Sequence, residues 1–203
     1  MNKTTGFLIT AILLLCPLMF GQDGRFDVSL NAAGELPKTT SGNGIEQRPT
    51  SSVGFLATAQ VKVAPKFSLG LNWERGHDTQ KYNTSTLFYQ VDSDVTELSG
   101  DLVIRPFRRG KWEPFFLGGA GILSFGPNSS QIDGITTSIG AVRQIQPAVL
   151  YGAGADYRLS PFVALRLQYR GLFYKPADFK VPTLLTSGTG HMAEPTIGIA
   201  INF

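Results

Sequence analysis

The sequence has one cysteine and two histidines, and charged residues make up only 16% of it, against roughly 25% in ordinary soluble proteins. Each scarcity excludes something. Cys16 lies in the apolar N-terminal stretch, so a chain trimmed there holds no thiol and no disulfide framework. His77 and His191 have no Cys, Asp or Glu at ligand spacing, which makes a poor metal site, and no cofactor is expected. A formal charge of +3 without a dense Lys/Arg stripe argues against a nucleic-acid surface. Past the N-terminus, no apolar run is long enough to cross a membrane as a helix. Helical periodicity is also hard to find.

The first residues, "MNKTTGFLITAILLLCPLMFGQDG", have the form of a secretory signal. Lys3 supplies the positive region, Phe7 to Leu15 the apolar one, and Gly21 a small residue at a plausible cleavage point. Pro17 breaks the stretch too early for an anchor, and bulky Leu15 before Cys16 argues against a lipoprotein signal. The expected division is a signal peptide at 1–21 and a single domain at 22–203.

What fills that domain is period-two alternation, the mark of half-buried strands. In "RFDVSLNAA", Phe26, Val28, Leu30 and Ala32 oppose Asp27, Ser29 and Asn31. "SSVGFLATAQVKV" sets Val53, Phe55, Ala57, Ala59, Val61 and Val63 against Gly54, Thr58, Gln60 and Lys62. "FSLGLNWE", "TELSGDLVIRP", "AVLYGAGADYR" and "FVALRLQYRG" repeat the pattern. "EPFFLGGAGILSF" is apolar on both faces, and Phe116, Ala120 and Ile122 are expected outward, with Gly119 and Gly121 inward. The last strand is "TIGIAINF", where Ile197, Ile199, Ile201 and Phe203 share one parity. Eight strands result. Their links alternate strictly: short at "APK", "PFRRGK" and "LSP", long and polar at 34–50, 76–94, 126–144 and 175–190. An up-and-down antiparallel barrel with short turns at one end and long loops at the other has that pattern. "STLFYQVD" stands as a possible extension of the fourth strand.

Alternation alone leaves a soluble sandwich or a lipocalin-like ligand carrier open. Three features favour a membrane barrel, with its apolar face toward lipid. Charges of both signs occur at mid-strand on the other parity: Lys62, Glu74, Asp101, Asp156, Arg166 and Arg170. Eight strands leave an interior just wide enough for side chains, and such charges can pair there as a buried network. Aromatic residues near strand ends suit interfacial girdles. The glycines of "GGAG" and "GAGA" suit a narrow lumen.

The ordered set of a signal peptide, about eight strands, "YGAGADYRLSPFVALRLQYRG" and a terminal Phe resembles the small outer-membrane β-barrels related to the membrane domain of outer membrane protein A. The resemblance covers essentially the whole mature chain. It implies an eight-stranded all-β barrel in a bacterial outer membrane, in contact with lipid and lipopolysaccharide and inserted by the barrel assembly machinery. It also implies that Ile197, Ile199, Ile201 and Phe203 form the assembly signal. Full-length members add a peptidoglycan-binding domain after the barrel. This sequence stops at strand eight, so no such tether is expected.

A non-enzymatic barrel displaying long extracellular loops, for envelope integrity or surface contacts, is therefore the expected function, with no nucleic-acid partner. Two other readings compete. A lipid A-modifying enzyme would pair His191 with Ser187, although a base in reach and an orienting third group are not visible in the sequence. A small-solute channel meets the objection that open pores need about sixteen strands.

Overall fold

The structure, a computed structural model, describes residues 25–84 and 87–203. The expected signal peptide lies outside the described residues. Alternating side chains require each strand to bury one face, and unpaired strand edges must find partners. Both demands are met by ring closure. The strands are β1 (Phe26–Pro37), β2 (Thr40–Gly42), β3 (Ile45–Pro49), β4 (Ser52–Ala64), β5 (Phe67–Asn83), β6 (Phe88–Ile104), β7 (Trp112–Ile132), β8 (Ile135–Thr136), β9 (Gln144–Arg158), β10 (Val163–Tyr174) and β11 (Gly190–Asn202). Eight of them close an all-antiparallel barrel in the order β1-β4-β5-β6-β7-β9-β10-β11. The seam joins β11 back to β1, with Asp27 opposite Asn202, Leu30 opposite Ile199 and Ala33 opposite Thr196.

The three remaining strands belong to the long-link end. β2 and β3 form a hairpin whose β3 pairs with the top of β5, from Glu46 opposite Asn83 to Pro49 opposite Gln80. β8 folds back on the end of β7. The link expected at 76–94 is mostly strand: β5 and β6 stay in register through Asn83 opposite Phe88. "STLFYQVD" thus contributes to the extension, with β6 beginning at Phe88.

That extension carries a change of phase. On β6 the even residues Leu98, Gly100, Leu102 and Ile104 point outward and are exposed, while Glu97, Ser99 and Asp101 point inward and are buried. Above Glu97 the same parity continues, but the chemistry inverts: Tyr89, Val91 and Val95 are now buried, and Gln90, Asp92 and Asp94 face out. β5 does the same on its outer face, where Phe67, Leu69, Leu71 and Trp73 give way to Arg75, His77 and Lys81. Strand geometry does not change at this level. The surroundings of the two faces do.

Around the lower barrel the outer face is therefore an apolar band. Ile197, Ile199 and Ile201 are 52%, 52% and 42% exposed. On β10 the band runs from Val163 to Phe173, within the about 9–11 residues that a tilted strand needs to cross a bilayer. Aromatic side chains border it at both ends. Phe55 and Trp73 pack edge-on at 6.4 Å on the long-link side, and Trp112 and Tyr157 meet at 4.9 Å near the short turns. The β7 parity follows the expectation, with Phe116, Ala120 and Ile122 exposed. Inward Gly154 is needed because an added Cβ would overlap the ring of Phe115.

The upper interior is a dry apolar core, which the alternation did not announce. Tyr82, Val91, Phe125, Leu150, Leu172, Tyr174 and Met192 pack together there, and the segment 175–189 folds over them. Its Ala177, Phe179 and Leu184 join the cluster with essentially no exposure. Tyr82 donates to the Ala177 carbonyl at 2.6 Å, and Gln144 Oε1 accepts from the N–H groups of Asp178 and Phe179 at 2.9 and 2.8 Å. Phe179 and Lys180 take left-handed φ values of 51° and 60°, a conformation costly for side chains with a Cβ. Packing of Phe179 and the Gln144 bonds hold it. Phe179→Ala is expected to cost about 3–5 kcal/mol of local stability. Protease cleavage at Lys175 or Lys180 should then accelerate while the barrel keeps its heat-modifiable gel migration; unchanged cleavage would contradict the cap.

Candidate functional site in the barrel interior

Inward parity on eight strands brings polar side chains from distant parts of the chain into one narrow column. Near the short-turn end, Arg166 of β10 is 1% exposed. It makes a bidentate pair with Asp156 of β9, Nε to Oδ1 at 2.7 Å and Nη2 to Oδ2 at 2.8 Å. Asp27 of β1 takes Nη1 and Nη2 at 3.0 Å, and the Ser29 hydroxyl accepts from Nη1 at 3.0 Å. The guanidinium lies 5.5 Å from the Phe115 ring, and Arg105 lies 5.5 Å from that ring as well. One cation is thus met by two carboxylates, a hydroxyl and an aromatic ring.

Two steps of the alternation higher, past Gln168, Arg170 has no exposure. Its Nη1 donates to Glu74 Oε2 at 3.0 Å, its Nη2 to Glu97 Oε1, and Glu194 Oε2 stands 3.4 Å from Nη1. Glu97 also accepts from Ser99 at 2.5 Å. Asn72 links the two levels: it accepts from Thr58 at 2.8 Å and donates to Asp101 at 2.7 Å and to Ser99 at 3.3 Å. Glu35 of β1 enters from the opposite side, accepting from Ser52 at 2.5 Å. It fits because Gly54 and Gly76 have no side chains; a Cβ on either would overlap Glu35 Oε1.

The charge at this level is unbalanced. Three carboxylates face one guanidinium, and Glu74 Oε1, Glu97 Oε2 and both Glu194 oxygens accept no hydrogen bond. Glu74, Glu97 and Glu194 each offer an oxygen within 4.8 Å of the others, a spacing that suits a cation, though Arg170 already stands among them. The cluster can take up protons or a cation to neutralise its excess.

Of the six residues expected to form the lumen network, five are inside. Glu74, Asp156, Arg166 and Arg170 pair directly, and Asp101 is bonded through Asn72 rather than to an arginine. Lys62 is not inside. It keeps inward parity but stands at the end of β4, where a register shift between Lys62 and Ala64 leaves it exposed at the barrel mouth. Asp27 and Glu97 were legible as inward residues in the expected strands. Glu35 and Glu194 were missed because β1 and β11 extend beyond the alternation read from sequence, β11 starting before Pro195. Ile197, Ile199 and Ile201 face outward on β11, and Phe203 is tied to Phe26 by its backbone N–H at 2.8 Å.

The histidines lie on the outer face above or at the rim of the band. His191 Nε2 meets the Tyr151 hydroxyl at 3.0 Å, beside Phe173 at 4.7 Å, whereas Ser187 packs against Gly42. His77 donates to Asp94 Oδ1 at 3.0 Å. That bond, helped by Asn128 and Arg75, holds the Asp94 carboxyl below its usual range. Asp92 is lowered too, chiefly by Ser129 at 2.6 Å and then by Thr79.

Removing the cation from the glutamate cluster should be severe. Arg170→Met leaves buried carboxylates unpaired and is expected to cost about 3–5 kcal/mol. Adding Glu97→Gln and Glu194→Gln should recover much of that loss in urea midpoints, and strict additivity would argue against a coupled network. The outer carboxylates act in a different pH window. A lowered folded pKa contributes stability that is full above the ordinary aspartate value of about 3.9 and is lost as pH falls through the folded value. The Asp92 and Asp94 share of amide protection in the β5–β6 extension should be full at pH 6 and lost only below about pH 4. Inward Asp78, pushed up to about 6 by burial, acts in the opposite sense and weakens the extension as pH rises through that value.

No protein-family model matches the sequence, and no curated protein does. Solved structures do match its shape. Neisserial surface protein A superposes with a TM-score of 0.60 at 13% identity, over 88% of this chain and 97% of that one. OprG of Pseudomonas aeruginosa gives 0.59 at 14%, over 90% and 97%. Ail, the attachment invasion locus protein of Yersinia pestis, gives 0.50 at 14%, over 90% and 100%. Identities this low speak to the fold alone. An antiparallel ring of eight strands is the architecture these proteins share, and the chain has the fold of the small eight-stranded outer-membrane β-barrels.

Proposed function

We propose that the protein is an integral β-barrel of a bacterial outer membrane that catalyses no reaction and whose stable wall holds its extended hairpins outside the cell, for surface contacts or envelope integrity. The observation that carries this reading is the phase change on β5 and β6. A soluble barrel would keep its outer face polar along its whole length. Here that face is apolar only in a band with aromatic borders, and polar above it. Lipid outside the band and water outside the extension account for both halves.

Strands of this kind have all their backbone groups paired within the ring, as a hydrocarbon environment demands. Insertion by the assembly machinery, with β11 as the strand it reads, belongs to the same proposal. The interior argues against transport as the main task. Arg166 and Arg170 sit across the lumen with 1% and no exposure, and the 175–189 segment covers the upper end. The catalytic alternative has less support, because His191 is engaged by Tyr151 rather than by Ser187. Function then falls to what the barrel displays, since loops on a rigid scaffold are where recognition usually resides.

The experiment follows from the phase change. Ile197→Arg, opposite Leu167 near the middle of the band, should cost about 2–4 kcal/mol in a bilayer, as a charge near the midplane does. Asn83→Arg, above the band and exposed at the top of β5, should cost almost nothing. Equal effects, or a protein that stays folded and soluble without detergent, would overturn the reading. A steady conductance in planar bilayers would instead favour a channel.

A further inference from the structure

At the short-turn end the barrel opens into a cavity of about 60 Å³, several times what one water needs. It is lined by Lys62, Lys66, Arg105 and Arg158, with Arg25 beside them. Three carboxylates also reach it, but each is already engaged. Asp27 and Asp156 are held by Arg166 from within the barrel, and Glu113 pairs with Arg158 at 2.8 Å. Lys62 and Lys66 take part in no ion pair among the described residues. The result is a pocket with cationic groups to spare.

The walls are fixed rather than floppy. Lys62 donates its backbone N–H to the Arg25 carbonyl at 2.8 Å, and Arg105 donates its own to the Lys66 carbonyl at 2.8 Å. The Arg105 side chain is oriented by Gln60 Oε1 at 2.8 Å, Ser68 Oγ at 3.1 Å and the Phe115 ring. With those oxygens occupied as acceptors, the Gln60 amide N–H₂ and the Ser68 hydroxyl proton are left to donate. Lys62 stays opposite Ser68 on the inward parity and reaches the mouth because it stands at the end of its strand, just before the register shift.

We propose that this mouth binds a phosphate group. Two ammonium groups and an oriented guanidinium, backed by neutral donors, suit a compact oxyanion with several acceptor oxygens. The carboxylates behind them are balanced by Arg166 together with Arg105, whose Nη2 stands 3.6 Å from Asp156 Oδ2, so the charges of Lys62 and Lys66 are left unopposed. That chemistry belongs both to free phosphate or a small phosphate ester and to the headgroup of an anionic phospholipid in the adjoining leaflet. The second source rests on the membrane reading above; the first does not.

The test uses the whole folded protein, with folding read independently from heat-modifiable migration. In neutral maltoside micelles, inorganic phosphate is titrated while amide shifts of Lys62, Lys66 and Arg105 are followed by NMR. Saturable shifts confined to the mouth are expected, and chloride at equal ionic strength should not reproduce them. Lys62→Gln with Lys66→Gln, both exposed and outside every ion pair described, should weaken binding by roughly tenfold or more while migration is unchanged. A second arm compares nanodiscs of phosphatidylcholine with nanodiscs containing phosphatidylglycerol. Shifts at the same residues only with phosphatidylglycerol identify a lipid headgroup; shifts only with free phosphate identify a soluble ligand. Either supports the site. Absence of shifts in both arms, shifts equalled by chloride, or equal affinity in the double variant overturns it. Loss of heat-modifiable migration in the parent protein would instead count against the barrel reading itself.

Discussion

The buried arginines of β10 are the constraint on which the rest of the interior depends. An eight-stranded ring has room for side chains and little else, so a charge placed inside must be met at contact distance. Arg166 and Arg170 share one face of one strand, four residues apart, and each draws carboxylates both from an adjacent strand and from strands farther around the ring. Asp27 comes from β1, Glu74 from β5, Glu97 from β6 and Glu194 from β11. A one-residue slip in any of those strands would turn its acid to the outer face. The same pairs that neutralise the lumen therefore fix the register of the wall.

The outer face is constrained by a different phase of the medium, and the two meet at Glu97. Below it, inward Asp101 is held by Asn72, and outward Leu98 and Leu102 meet an apolar surrounding. Above it, Val91 and Val95 turn inward to the cap and Asp92 and Asp94 turn outward to hydroxyls, His77 and Arg75. A single strand thus belongs to an inverted protein in one half and an ordinary one in the other. Backbone pairing runs through the boundary, which is why β5 and β6 stay in register across it.

This also explains what was legible beforehand. Eight strands, their order and the parity of residues such as Asp156, Arg166 and Ile199 follow from period-two alternation, because each of those strands lies between two media of fixed sign. Where the sign reverses, a search for apolar-out alternation stops early, and 76–94 reads as a loop. Glu194 and Glu35 fall in such unread margins. The cap at 175–189 was hidden for another reason: its Phe179 and Leu184 are buried by contacts with Tyr82 and Gln144, residues distant in sequence, and no local period encodes them. Lys62 had the parity of the lumen and the position of the mouth, and position won because a strand end next to solvent lets a lysine keep its hydration.

A lumen filled in this way limits where function can reside. The glutamate cluster at Arg170 and the cap above it leave no continuous aqueous space in which a solute would meet the charged residues, since the arginines themselves have almost no exposure. The ends are freer. At one, the β5–β6–β7 extension holds exposed Arg75, His77 and Asp94 on a paired sheet rather than a loose loop, so their spacing is set before any partner arrives. At the other, the carboxylates turned inward to satisfy Arg166 are the ones that would otherwise have neutralised the rim. With Arg166 and Arg105 set against Asp27 and Asp156, it is Lys62 and Lys66 that leave the mouth basic.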